Sequence, residues 1–112
     1  MKTYNLEDRS FEFARDCRIL ISKLPKTVSN IEDGKQLVRS SGSVGANYIE
    51  ANENLGEKDF KFRMRIARKE AKESLYWLNL LKALNPNSTL IEPLIQEANE
   101  LRKILSTILS KI

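Results

Sequence analysis

Residues 39–51 read RSSGSVGANYIEA. Two glycines and a cluster of small side chains interrupt a chain whose other segments are helical in pattern. Such a run is either a loop that cradles a phosphate or a helix whose small face lets a second backbone come close. Gly42-Ser43-Val44-Gly45 lacks the Gly-Lys-Ser/Thr ending of a P-loop, and no hydrophobic strand leads into it. On a helix, Leu37, Ser41, Val44, Tyr48 and Ala51 share one face, with Val38, Gly42, Gly45 and Ile49 beside it. A helical glycine costs about 1 kcal/mol relative to alanine, which close packing against a neighbour can offset. The stretch reads as packing. Its polar members, Arg39, Ser43, Asn47 and Glu50, follow at three- or four-residue steps and form a polar ridge. Glu70 or Glu73 would pair with that ridge, while plain surface exposure is the alternative for Glu50.

Outward from this motif the chain divides into four helical segments, and no segment alternates as a strand would. The first runs from about Leu6 to Leu24, with Phe13, Cys17, Leu20 and Leu24 on one stripe, and stops at Pro25. The second begins near Ser29 or Asn30 as a cap, with Glu32 and Asp33 in its first turn, and continues to about Asn54 before Gly56 breaks it. The third spans about Glu57 to Leu84. The fourth occupies about Thr89 to Ile112, with Ile91, Leu94, Ala98, Leu101, Leu105, Ile108 and Ile112 at alternating three- and four-residue steps. Pro93 must fall in or near its first turn. Four helices of similar length with short connections predict an all-α, antiparallel up-down-up-down four-helix bundle, one domain over residues 1–112.

Composition narrows the chemistry. The 112 residues are 41% hydrophobic and 30% charged, as in an ordinary globular protein. No apolar run approaches the ~20 residues of a membrane span. The opening MKTYNLEDRSFEFARD is too acidic for a signal peptide, so a cytoplasmic location is expected. Cys17 is the single cysteine, and its spacing from Phe13 and Leu24 marks a small buried hydrophobe. There is no histidine. Imidazole bases, Ser-His or Cys-His pairs and Glu-x-x-His metal ligands are therefore excluded. No enzyme activity, metal or cofactor is expected. A hydrolase built on Glu50 and Glu73 would lack both a metal cluster and a tuned base.

The net charge of +4 has one source. Residues 57–84 hold eight basic and four acidic side chains, whereas the rest of the chain balances. On a helical wheel, Phe60, Met64, Ala67, Ala71, Leu75 and Leu78 form the core seam. Lys58, Lys61, Arg65, Arg68, Lys69 and Lys72 share a second sector without interleaved Glu. Such a run is either a solvated face or, repeated around an oligomer, a surface for the phosphates of RNA or DNA. Phe62, Ile66, Trp77, Leu80 and Leu84 form a second apolar strip, away from the core. A bundle helix needs only one apolar stripe. Either neighbouring helix ends cover the second one or another subunit does, and the strip is read as an oligomer interface.

RSSGSVGANYIEANENLGEKDF (residues 39–60) followed by FRMRIARKEAKESLYWLNLL (residues 62–81) resembles the family of proteins encoded within 23S ribosomal RNA intervening sequences. The blocks from Arg39 to Tyr48 and from Ala67 to Glu73 carry the likeness. The chain is also similar to the accessory variability determinant of diversity-generating retroelements, a pentamer that binds nucleic acid and a reverse transcriptase. The resemblance implies an antiparallel four-helix bundle that forms a homopentamer, with no established enzymatic activity. Two functions follow. The first is a homo-oligomeric RNA- or DNA-binding scaffold using the basic face of the third helix. The alternative is a protein–protein adaptor docking an acidic partner such as a polymerase or reverse transcriptase.

Overall fold

The computed structural model describes residues 5–112; residues 1–4, which the single-domain reading includes, lie outside the described residues. The described chain is all-α, with four helices in the order α1 (Leu6–Lys23), α2 (Val28–Asn52), α3 (Glu57–Leu84) and α4 (Ile91–Ser110). Among the described residues there is no strand.

Each helix starts for a local reason. The Asn5 side chain accepts the backbone N–H groups of Glu7 and Asp8 at 3.0 and 3.2 Å, satisfying donors that the first turn leaves unpaired. Helix α1 ends just before Pro25. Helix α2 opens earlier than expected: Thr27, not Ser29 or Asn30, is the cap, its hydroxyl accepting from the Asn30 N–H at 3.1 Å. The acidic residues expected in its first turn consequently lie beyond it. Helix α3 follows Gly56, whose φ of 132° suits a residue without a side chain. There Asp59 accepts from the Leu55 N–H and Asn54 from the Gly56 N–H. Helix α4 begins at Ile91, two residues later than expected, which places Pro93 in the first turn, where its missing N–H costs nothing.

Helix α1 lies against α2 and α4, and α3 lies against the same two helices. One buried cluster joins Phe13, Cys17 and Leu20 to Leu37, Leu78 and Leu81, with Ile91, Leu94, Ile95, Ala98 and Leu101 from α4. A second, thinner cluster holds Val44, Ala51, Met64, Ala67, Ala71 and Leu105. Burying a leucine side chain contributes roughly 2 kcal/mol, so the leucine-rich cluster carries more of the stability than the alanine-rich one.

The core seam of α3 differs from the expected one. Phe60 and Leu75 are only half-buried, whereas Ser74 and Leu81 are fully buried. The seam is rotated toward α2, because Ala67, Ala71 and Ser74 are small enough for that helix to approach. Ser74 Oγ lies 2.8 Å from Ser40 Oγ and also donates to the Glu70 carbonyl. Along α4, Ile95 joins the seam, while Ile112 is exposed.

Candidate nucleic-acid interface

The cationic sector of α3 splits around the helix. Lys61, Arg65 and Arg68 line a cleft of about 310 Å³ against the end of α4, with Ser106, Leu109, Ser110 and Ile112 opposite. Helical geometry brings these three cations together, since positions 61, 65 and 68 are one turn apart. Lys58 and Lys69 are exposed farther round the helix, and Lys72 is exposed one turn beyond Arg68. Among the described residues only Lys61 of the six forms an ion pair, with Glu57 at 3.3 Å. The five others repel one another uncompensated. Arg63, outside the sector, pairs loosely with Asp59 at 3.8 Å and sits over the Phe62 ring at 5.7 Å.

The apolar strip of α3 is mixed. Phe62 is 56% exposed and Leu84 is 62% exposed, while Ile66, Trp77 and Leu80 are half-buried. Trp77 rests against the edge of the main core, meets Tyr76 edge-on at 5.1 Å, and donates its indole N–H to Glu73 at 3.4 Å.

The polar ridge of α2 separates into two parts. Arg39 reaches across to α3, donating to both Glu70 oxygens and to Glu73. Ser43 and Asn47 instead bond the carbonyls of Arg39 and Ser43 in their own helix, and Glu50 stands exposed, in none of the ion pairs among the described residues. Such back-bonding to a carbonyl four residues earlier is a standard alternative for polar side chains inside a helix.

Three features went unread in the sequence. The Ser40–Ser74 contact is the first. The second is a reciprocal amide pair: Asn30 and Asn85 exchange bonds at 3.0 and 2.8 Å, while donating also to the carbonyls of Pro25 and Leu81. The only available signal was the position of each asparagine beside a proline-containing turn. The third is an apolar groove between α1 and α2. Cys17 is buried as expected, and burial pushes its thiol up to about 12, opposed by the Ser41 hydroxyl and the charge of Arg18. An inert thiol results.

Among the described residues no group of three or more His, Cys, Asp or Glu side chains could hold a metal ion, and no helix is long and apolar enough to cross a membrane.

The four helices and their motifs have counterparts. The model of a family described as 23S rRNA-intervening sequence protein matches residues 2–107. The chain belongs to that family. A structure of a protein with unknown function from the S23 ribosomal protein family, from Bacteroides thetaiotaomicron VPI-5482, is similar to this intervening-sequence protein with a TM-score of 0.81. The two are 32% identical, and the alignment covers 94% of this chain and 98% of that one. No curated protein matches the chain. As an intervening-sequence protein it thus shares an all-helical fold with a relative whose own role is unknown.

Proposed function

We propose that this intervening-sequence protein is a non-enzymatic, cytoplasmic, homo-oligomeric accessory protein that binds RNA through the phosphates. The observation that carries the proposal is the cationic cleft: Lys61, Arg65 and Arg68 converge on it, with Lys72 beside them, and acidic side chains leave most of this charge uncompensated. A polyanion supplies the missing countercharge, and the Ser106 hydroxyl at the cleft can donate to a phosphate oxygen. Among the described residues no aromatic side chain lines the cleft, which favours contact to backbone rather than to bases. Family resemblance supports a pentamer, which would repeat the cleft around a ring. An antiparallel up-down-up-down bundle is supported by residue pairs whose numbers run in opposite senses, such as Asn30 with Asn85 and Arg39 with Glu70.

Fluorescence anisotropy with a labelled structured RNA tests the reading. Affinity should fall steeply with salt, and Arg65→Glu/Arg68→Glu/Lys72→Glu should flatten the slope of log K against log salt by about two to three units. Unchanged binding by that variant at about 0.15 M salt refutes the cleft. Capture of an acidic protein that survives nuclease treatment would favour the adaptor function instead.

A further inference from the structure

Among the described residues three aromatic side chains are exposed: Phe11 at 68%, Phe62 at 56% and Tyr76 at 58%. Phe11 stands on α1, and Phe62 lies under the Arg63 guanidinium. Tyr76 is the one inside the cationic sector. Lys61, Arg65, Arg68, Lys72 and Tyr76 follow at steps of three or four residues, so each neighbours the next on the surface of α3. The row is about 22 Å long at 1.5 Å per residue, the span of about six nucleotides at the stacked rise of one strand.

The Tyr76 ring is held but not covered. It meets Trp77 at 74° with centroids 5.1 Å apart, an edge-on contact that engages at most one of its two faces. Helical side chains lean toward the helix N-terminus, which directs the ring toward the turn that carries Lys72. The carboxylates of α3 are all engaged. Glu57 and Asp59 pair with Lys61 and Arg63, and Arg39 from α2 holds both Glu70 and Glu73. Glu73 also accepts the Trp77 indole N–H. A phosphate chain that follows the cations therefore meets no uncompensated carboxylate of α3 before it reaches the ring, and Arg39 gains a purpose beyond joining two helices.

We propose that Tyr76 is a stacking platform for an unpaired base of a single-stranded RNA whose phosphates run along Lys72 and Arg68 into the cleft. The inference rests on the phosphate binding in the reading above and adds a preference for single strands over duplex. A base inside a duplex has both faces occupied by its neighbours, whereas an unpaired base can lie on an aromatic ring. Every base has a π-face, so the ring selects unpaired strands without reading a sequence. Tyrosine suits the task because it orders two torsions for a large flat contact. The work divides along one helix: cations take the phosphates, and the ring one turn beyond Lys72 takes a base.

Fluorescence anisotropy on the full chain provides the test, with an oligouridylate of about twelve nucleotides and a duplex of equal phosphate count as ligands. Tyr76→Ala should weaken the oligouridylate about 5- to 100-fold and leave the duplex within about two-fold, with the slope of log K against log salt unchanged. Tyr76→Phe should bind as the wild type does. Lys72→Ala, by contrast, should weaken both ligands and lower the slope by about one unit. Irradiating the wild-type complex with iodouridine-containing RNA should crosslink Tyr76, a readout that needs no substitution. Wild-type affinity of Tyr76→Ala for the oligouridylate, or an equal loss on the duplex, overturns the stacking contact while leaving the cleft intact. Altered sedimentation of Tyr76→Ala would assign the ring to a contact between copies and overturns it as well. Unchanged binding by the charge-reversal variant above, beside a weakened Tyr76→Ala, would refute the cleft and support the ring. A wild type that binds neither ligand overturns both.

Discussion

Adding one methyl group at Gly42 should stabilise the protein, whereas adding one at Gly45 should not. A side-chain carbon built at Gly45 lies 2.8 Å from Ser10 Oγ, 3.4 Å from Ser10 Cβ and 3.8 Å from the Ser10 backbone carbon. Ser10 is buried, and its hydroxyl donates to the Glu7 carbonyl, so the crowded atoms have little room. At Gly42 the nearest atom is Arg18 Nη2 at 3.2 Å, the far end of an exposed, flexible side chain. Both substitutions gain about 1 kcal/mol of helix propensity. Overpacking a tight contact costs about 1–3 kcal/mol. Gly45→Ala should thus come out neutral to about 2 kcal/mol less stable, and Gly42→Ala about 0.5 kcal/mol more stable once the loosened Arg18 bonds are counted. Urea denaturation followed by circular dichroism at fixed protein concentration measures both, the concentration being held because association would add its own stability. In the double variant Ser10→Ala/Gly45→Ala the closest contact is gone, and about 1 kcal/mol should return relative to Gly45→Ala alone. Equal stabilisation by Gly45→Ala and Gly42→Ala would refute the close approach of α1 to α2 at that glycine.

Two further outcomes follow from buried polar groups. Ser74→Ala should cost about 0.5–1.5 kcal/mol, and Ser40→Ala/Ser74→Ala should cost less than the two single changes added together, which a double-mutant cycle reads directly. Cys17 titrates higher folded than unfolded, at about 12 against its ordinary 9.0, so its contribution to stability is complete below pH 9 and is lost as the pH rises toward 12. Denaturation curves between pH 8 and 11 should show a decline of up to about 1.4 kcal/mol per unit that Cys17→Ala largely removes.

Which parts of this architecture the sequence could show depends on how local their causes are. Helices α1 to α4 were readable because Pro25, Gly56 and the Asn85–Ser88 turn interrupt a 3.6-residue periodicity, which is a property of neighbouring residues. The start of α2 was misplaced because Asn30, a good cap by type, is committed to Pro25 and to Asn85, fifty-five positions away. The seam of α3 shifted for the same kind of reason. A wheel weighs Leu75 above Ser74, yet Ser74 meets Ser40 across the narrowest approach between helices. Of the candidate site, the cationic sector and the Arg39 pairing with Glu70 and Glu73 could be read from spacing on single helices. The cleft could not, because its other wall comes from Ser106 and Ser110. Nor could the α1–α2 groove, whose walls come from two helices, with Phe11 and Ile19 on one and Ile49 on the other.

The amide pair of Asn30 and Asn85 has a consequence for where the molecule yields. It laces the α1–α2 turn to the α3–α4 turn, so one pole is stitched across the whole width of the protein. Among the described residues the opposite pole shows no such amide pair: its turn pivots on Gly56, and half of its buried cluster is alanine. Opening fluctuations should begin there, and amide protons near Ala51 and Met64 should exchange sooner than those near Leu37 and Leu78. That pliant pole is also where α3 starts, so the guanidinium and ammonium groups offered to a ligand ride on the portion of the scaffold best able to adjust to it.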